Sequence, residues 1–165
     1  MFTICLALVI TASIIVDTLR IGISPMPTGR KVRKALLQVL PKKPPKIIYE
    51  LGCGFGTLSI YLARHYPATR VVAFEKAFVP FLVSQVASLF VPNLEVRWVD
   101  FLTIDLREAD LLICYLFPGG MKALAKRPMK GTLISHTFSL PGYQPHQEMV
   151  AGDLYRTKIY SYEFF

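Results

Sequence analysis

Glu50-Leu51-Gly52-Cys53-Gly54-Phe55-Gly56 is the stretch of this chain that decides its fold. It follows the apolar run Ile47-Ile48-Tyr49 and precedes a helical pattern that begins at Thr57. Glycine at every second position lets the backbone adopt conformations closed to other residues, and it lets a ligand approach without meeting a Cβ atom. The stretch therefore predicts a cofactor-binding loop between a strand and a helix.

The glycine spacing separates classes of nucleotide cofactor. Dinucleotide-binding folds use G-x-G-x-x-G, whose third glycine packs the helix on the strand below a pyrophosphate. Here the third glycine, Gly56, comes one residue early, and the acidic Glu50 stands two positions before the first glycine. This E-x-G-x-G-x-G pattern resembles the first motif of class I S-adenosylmethionine (SAM) methyltransferases. A glycine-rich turn without a ligand is the alternative.

The resemblance implies how the loop is used. In that family the loop wraps the methionine part of SAM, and the acidic residue faces the ammonium group of the cofactor. The implied cofactor-binding residues of this stretch are Glu50, Gly52, Cys53, Gly54 and Gly56.

Strands and helices alternate from residue 46 onwards, which predicts a parallel sheet with crossover helices. The expected fold class is α/β: a doubly wound, mostly parallel, Rossmann-like methyltransferase sheet with helices on both faces, plus an N-terminal hydrophobic helix. We expect parallel strands at about 46–50, 70–74, 94–99, 111–115 and 131–138, and an antiparallel strand at or near the edge over about 156–165.

Ligands of open parallel sheets lie beyond the carboxyl ends of the strands. Glu75 ends the predicted second strand, and a carboxylate there can accept hydrogen bonds from both ribose hydroxyls. The acidic residue at this position does so in the resembled family. Lys76 follows it and is included among the cofactor-binding residues. An exposed strand-end acid without a ligand is the alternative.

The predicted third strand ends at Asp100-Phe101. The resemblance implies that Asp100 reads the adenine amino group, and that Phe101 supplies a backbone N–H to a ring nitrogen and an apolar wall. Asp105 is the alternative if the strand ends later. Asp110 precedes the fourth strand, at its opposite end, and is expected to be a solvated turn residue.

The segment after the fourth strand is where amino-group methyltransferases carry Asn or Asp, then Pro-Pro and an aromatic residue, and this chain lacks that motif. We expect Tyr115 and Phe117 to wall a narrow channel and hold a cationic amine by their ring faces; core packing is the alternative. His136 on the fifth strand is a candidate general base or a structural residue. The three cysteines are widely spaced and predict no metal site.

Residues 1–16 carry no charge, but a helix of that length spans only roughly 24 Å. Extension to Ile23 gives roughly 34 Å and includes Asp17 and Arg20, so the segment is a marginal membrane span. We predict a membrane-anchor helix over residues 1–23, with a buried or membrane-surface helix as the alternative. A basic, proline-containing juxtamembrane segment with an amphipathic helix follows over residues 24–45, and the SAM-binding domain covers residues 46–165.

The formal charge of +8 is concentrated near the N-terminus, because residues 1–46 contain eight basic side chains and one acidic side chain. This distribution predicts a catalytic domain on the cytoplasmic face of a membrane, with residues 30–46 close to anionic lipid. Nucleic acid is not expected as a partner, since no aromatic residues interleave the basic run. A prokaryotic cytoplasmic membrane fits better than the mitochondrial inner membrane, because no Arg- and Ser-rich transit peptide is present.

The apolar N-terminal segment, the proline-containing segment, the basic helix and the cofactor motifs occur together in this chain. In this combination the chain resembles the small membrane-anchored protein-lysine methyltransferases that modify the adenine nucleotide translocase and the ATP synthase c-subunit. In those enzymes a proline-containing loop shapes the lysine entry, and by position Pro27 and Thr28 correspond to it. We therefore expect SAM-dependent methyl transfer to an amine, in the first place a protein lysine. The alternatives are a lipid or small-molecule N- or O-methyltransferase and a non-catalytic cofactor-binding membrane module.

Overall fold

The computed structural model describes residues 26–165, which form one seven-stranded sheet with strand order β3-β2-β1-β4-β5-β7-β6. The strands are β1 Ile47–Leu51, β2 Arg70–Glu75, β3 Leu94–Trp98, β4 Leu111–Cys114, β5 Gly131–His136, β6 Gln147–Val150 and β7 Lys158–Phe164. The α-helices are α1 Arg30–Val39, α2 Thr57–His65, α3 Phe78–Ser88 and α4 Pro118–Leu124. Two short 3-10 turns, Phe101–Thr103 and Leu106–Glu108, separate β3 from β4.

The order of the strands reverses at β1. β1 pairs in parallel with β2 on one side and with β4 on the other. The chain winds outward from β1 to β3 and then returns to β4, so a crevice lies beyond the carboxyl ends of β1 and β4, where open α/β sheets bind ligands. The prediction of a mostly parallel α/β sheet is confirmed.

Three helices cover one face of the sheet. Buried side chains of α1 and α2, such as Leu36 and Leu62, share a hydrophobic core with Ile48 of β1, and Phe81 of α3 packs against the same core. The helix predicted over residues 31–40 is present as α1, and it buries its apolar side against this core. Residues 30–40 are thus an integral part of the folded domain.

The opposite face is more thinly covered than the prediction of a doubly wound sheet implied. In the described residues its cover consists of α4 and the two 3-10 turns, which pack on a second core that includes Leu112, Met121 and Leu124. The sequence prediction missed α4, because Pro118-Gly119-Gly120 is typical of a loop. Proline at the first turn of a helix is nevertheless well tolerated.

The C-terminal part of the sheet holds one more strand than expected. β7 pairs antiparallel with β5, as predicted for the last strand, but β6 pairs with β7 and forms the edge. β6 has four residues, all exposed except the half-buried Met149, so its sequence carries no alternating pattern. The anchor predicted over residues 1–23 lies outside the described residues. No helix within residues 26–165 is long and apolar enough to cross a membrane.

Candidate cofactor and acceptor site

The loop between β1 and α2 has a backbone that only glycine accommodates readily. Gly52, Gly54 and Gly56 have φ angles of +78°, +56° and +75°, in the left-handed region. A Cβ atom on Gly56 would lie 2.9 Å from the Cβ of Ser84 in α3. The loop therefore needs glycine for its conformation and, at Gly56, for the close approach of α3.

Glu75 stands at the carboxyl end of β2, as predicted, and its carboxylate holds the loop in place. Oε2 accepts a 2.7 Å hydrogen bond from the N–H of Gly54. Oε1 accepts 2.8 Å bonds from the N–H groups of Lys76 and Ala77. The side chain is only 8% exposed, and three backbone N–H groups satisfy its two oxygens. Binding of the ribose by Glu75 remains a prediction.

The environment of Glu50 differs from the expectation. β1 ends at Leu51, so Glu50 lies within the strand rather than at its end, and its side chain is buried and accepts a hydrogen bond from the hydroxyl of Ser59 in α2. Burial raises the pKa of Glu50 to about 8; the charge of Glu75 adds to this rise, and the Ser59 bond opposes it. An ammonium group nearby would favour ionisation. Contact with the cofactor remains a prediction for Glu50.

Lys76 and Asp100 meet at the ends of β2 and β3. Lys76 Nζ lies 2.8 Å from Asp100 Oδ2. Asp100 was predicted to end β3, but β3 ends at Trp98, two residues earlier. Asp100 instead caps the first 3-10 turn by accepting a hydrogen bond from the N–H of Leu102. Burial raises the pKa of Asp100, but the bonds from Lys76 and Leu102 outweigh it and hold the pKa below the usual value.

Three other predicted residues, which follow β1 or β3 in the chain, have the following surroundings. Phe101 is half-buried against the second core. Asp105, the alternative to Asp100, caps the second 3-10 turn and pairs with Arg107 rather than with Lys76. Cys53 is buried below the loop, with its sulfur 3.9 Å from Ser84 Oγ, and burial raises its pKa well above the ordinary thiol value. Its side chain is thus a neutral packing group.

Asp110 lies at the opposite edge of the sheet, as expected. It is not simply solvated, because its Oδ2 accepts hydrogen bonds from the N–H groups of Lys46 and Ile47 at 2.8 and 3.0 Å. A depression of about 370 Å³ lies at this same amino edge, between residues 67–70 and 92–95. It is remote from the glycine loop and is not the cofactor site.

An aromatic stack lies at the carboxyl ends of β4 and β5. The ring of Tyr115 lies parallel to that of His136, with centroids 4.5 Å apart, and it also stacks on Phe138 at 6.4 Å. Thr28 reaches the same group, with Oγ1 3.4 Å from His136 Nε2; Pro27, beside it, is exposed. The structure therefore joins the proline-containing segment to the predicted acceptor side.

The surroundings of His136 fit the structural alternative better than a general base, and Phe117 does not stack on Tyr115. Burial lowers the pKa of His136 to about 4, so the imidazole is neutral at pH 7 and too weakly basic to keep a proton. Phe117 precedes α4, and its ring covers Gly119, where a Cβ atom would overlap it. The ring that stacks on Tyr115 besides that of His136 is Phe138, which the sequence prediction missed. Phe117 as a wall of the acceptor channel remains a prediction.

Residues 31–114 match the model of the methyltransferase small domain family. The chain belongs to this family. It is an S-adenosylmethionine-dependent methyltransferase.

Curated relatives of this methyltransferase include the protein-lysine N-methyltransferase of Saccharolobus islandicus (strain REY15A). The two are 24% identical over 142 residues, which cover 78% of this chain and 84% of that protein. The trans-aconitate 2-methyltransferase of Streptomyces coelicolor (strain ATCC BAA-471 / A3(2) / M145) is also 24% identical, over 137 residues. That match covers 73% of this chain but 44% of the relative.

Solved structures share the fold. An RNA methyltransferase from Salinibacter ruber, in complex with S-adenosyl-L-homocysteine, superposes with a TM-score of 0.71 and 22% identity over 83% of this chain and 92% of that chain. TrmN from Thermus thermophilus has a TM-score of 0.64 and 16% identity over 81% of this chain and 48% of that chain. Because the names of these relatives differ in the molecule that is methylated, they do not identify the acceptor of this methyltransferase.

The residues at this edge fit the cofactor. The glycine loop is a cradle without side chains. Glu75 ends β2 and Asp100 follows β3, the two strands that lie on one side of β1. Glu75 would hold the ribose and Asp100 the adenine, next to the loop that would hold the methionine part. Bound SAM supplies a methyl group on a positively charged sulfur. The part of the protein in such a transfer is chiefly to place the acceptor in line with it.

Proposed function

We propose that this methyltransferase modifies an amine, in the first place the side chain of a protein lysine, close to a membrane surface. The observation that carries the proposal is the stack of Tyr115, His136 and Phe138, which Thr28 contacts from the N-terminal side. The name of the Saccharolobus relative supports the same acceptor class.

The stack suits the approach of a cationic amine. Aromatic faces attract ammonium groups through the ring quadrupole, by about 0.5–2 kcal/mol. His136 is neutral at physiological pH and does not repel such a group. Tyr115 is partly exposed, so one ring of the stack is accessible from the carboxyl edge of the sheet.

The proton of the amine must leave before the nitrogen attacks. With a pKa of about 4, His136 does not retain a proton at pH 7, and we assign it the role of positioning Tyr115 rather than that of general base. A site from which water is excluded lowers the pKa of an amine and thereby favours its neutral, nucleophilic form. The proton can then pass to solvent.

The membrane part of the proposal comes from the sequence. The uncharged run at residues 1–16 would act as an anchor, and the basic residues of segment 30–46 would lie near anionic headgroups on the cytoplasmic face of a prokaryotic membrane.

The test uses the full-length protein, SAM labelled on its methyl group, and membranes from the organism that encodes the chain. We expect the label in a protein, and amino-acid hydrolysis should place it on lysine. Label in the lipid extract alone would contradict lysine as the acceptor and favour the lipid methyltransferase alternative. Binding of SAM without labelling of any membrane component would favour the non-catalytic module.

A further inference from the structure

Helix α3 presents its large apolar side chains to the outside. The residues that it buries are Pro80, Ser84 and Ser88, all small or polar. Its outer side and the turn that follows expose large apolar side chains, which are Phe78, Leu82, Val83, Val86, Leu89 and Phe90. A surface helix ordinarily has the opposite arrangement, with the apolar stripe toward the core.

Trp98 of β3 extends this surface. Its ring lies 5.2 Å from that of Phe78 and 6.0 Å from that of Phe81. The indole N–H donates a 3.0 Å hydrogen bond to the carbonyl of Lys76. The polar atom of the indole is therefore satisfied within the protein, while 56% of the residue remains exposed. We call Trp98 and the six exposed side chains listed above the α3 patch.

The α3 patch is large for an uncovered surface. A large side chain presents on the order of 150–250 Å², and the members of the patch are exposed by 44% to 79%. The patch then amounts to roughly 600–900 Å², above the ~300–600 Å² of the largest apolar patch on a typical monomer. Patches of this size mark interaction sites.

The charges of the same helical layer indicate the partner. α1, α2 and α3 all pack on the first core, so their outer sides belong to one layer. These helices contain no acidic residue, whereas α1 alone carries four cations at its N-terminal end, Arg30, Lys31, Arg33 and Lys34. Between residues 26 and 94 the acidic residues are Glu50 and Glu75, both buried.

We propose that the outer side of the α1–α3 layer lies against a bilayer that contains anionic phospholipid. The cations of α1 would meet the headgroups, and the α3 patch would enter the boundary between headgroups and acyl chains, to the ~5–10 Å depth that is typical of interfacial helices. An apolar patch of this size has no use on a nucleic acid.

This orientation has a consequence for the acceptor. The glycine loop and the aromatic stack lie at the carboxyl edge of the sheet, beside the helical layer rather than beneath it. The site would then open along the membrane surface, within reach of a lysine just outside the bilayer. That use of the surface rests on the proposed function, whereas the contact of the α3 patch with lipid does not.

Trp98 is the only tryptophan of the chain, so its fluorescence reports on the α3 patch alone. Full-length protein would be reconstituted into vesicles of phosphatidylcholine and phosphatidylglycerol, with or without phospholipid brominated in the acyl chain near the headgroup. We expect the emission of Trp98 to shift to the blue in vesicles. Brominated lipid should quench that emission. The double variant Leu82→Glu/Val86→Glu should lose this quenching.

The matched control moves the tryptophan to the other face of the sheet. Tyr143 is 44% exposed and packs on Phe164 of the second core. A Trp98→Phe/Tyr143→Trp variant should bind the same vesicles without being quenched. Equal quenching in vesicles of phosphatidylcholine alone would overturn the role of the α1 cations.

Unquenched Trp98 in protein that floats with the vesicles would overturn the lipid contact. Emission that instead depends on protein concentration and not on lipid would identify a dimer. SAM binding by calorimetry and labelling of the acceptor are measured on the same samples. Normal labelling of the acceptor with an unquenched Trp98 would contradict the lipid contact and leave the proposed function intact. A quenched Trp98 without labelling of any acceptor would contradict the proposed function and leave the lipid contact intact.

Discussion

The N–H of Gly54 donates a 2.7 Å hydrogen bond to Glu75 Oε2, which ties the middle glycine of the cofactor loop to the end of β2. The other carboxylate oxygen is occupied by the next two backbone N–H groups. One side chain thus determines the shape of the loop and of the turn that leads into α3. It is also the residue predicted to bind the ribose of SAM.

Replacing Glu75 by Gln should weaken both the fold and cofactor binding. The amide removes the charge that these hydrogen bonds rely on and directs an NH₂ group toward backbone donors. Leaving buried donors unsatisfied costs about 1–3 kcal/mol each. We expect a loss of this size in the free energy of unfolding, measured with urea, and a comparable loss in the free energy of SAM binding, measured by calorimetry.

Glu95→Gln is the matched control for this measurement. Glu95 is an exposed carboxylate on β3 that pairs with Arg70 and Arg97. Exposed ion pairs contribute about 0–1 kcal/mol, so stability and SAM affinity should change little. If the Glu75 variant bound SAM as tightly as the wild type, the assignment of Glu75 to the ribose would be wrong.

Gly56→Ala should distort the loop. Alanine at a φ of +75° costs roughly 1–2 kcal/mol, and its Cβ would also lie 2.9 Å from the Cβ of Ser84. We expect a fall in thermal stability and a loss of SAM affinity beyond the strain alone. Gly142→Ala separates the two effects, because Gly142 has a φ of +82° but open space around it. An equal loss of thermal stability in both variants would show that the contact of residue 56 with α3 is unimportant.

Glu50 should make stability depend on pH. Its pKa is raised from the ordinary 4.5 to about 8 in the folded protein, so the folded state holds the proton more tightly than the unfolded state. The contribution of the protonated Glu50 to the free energy of unfolding is fully present below about pH 4.5 and is lost as the pH rises toward 8. The difference between the two pKa values corresponds to roughly 5 kcal/mol.

Glu50→Gln isolates this effect, since Gln stays neutral and keeps an oxygen for the hydroxyl of Ser59. Both proteins would be unfolded with urea between pH 5 and pH 8. The free energy of unfolding of the variant should increase relative to that of the wild type as the pH rises. A constant difference across that range would mean that Glu50 is already ionised in the folded protein.

The sequence allowed the cofactor half of the site to be located, because its signals are local. The glycine loop, Glu75 and Asp100 each follow an apolar run that is long enough to be recognised as a strand. The burial of Glu50 was not foreseen, because it depends on β1 continuing to Leu51 and on Ser59 of α2 facing it.

The acceptor half depends on contacts between distant parts of the chain. β4 and β5 pair with Cys114 opposite Ser135, and this register brings the next residues, Tyr115 and His136, into contact. Thr28 reaches His136 across 108 positions of sequence. No local pattern encodes such pairings, which is why the contact of Phe138 with Tyr115 was not predicted.

The stack can be tested by separating acceptor turnover from cofactor binding. Tyr115→Leu removes the aromatic face next to His136, whereas Tyr115→Phe keeps it. If the faces hold a cationic amine by about 0.5–2 kcal/mol, the Leu variant should lose roughly 2- to 30-fold in kcat/KM for the acceptor, and the Phe variant should retain most of it. SAM affinity should be unchanged in both, since the cofactor residues lie at β1 to β3. An equal loss of SAM affinity in the Leu variant would show that Tyr115 supports the cofactor site rather than the acceptor.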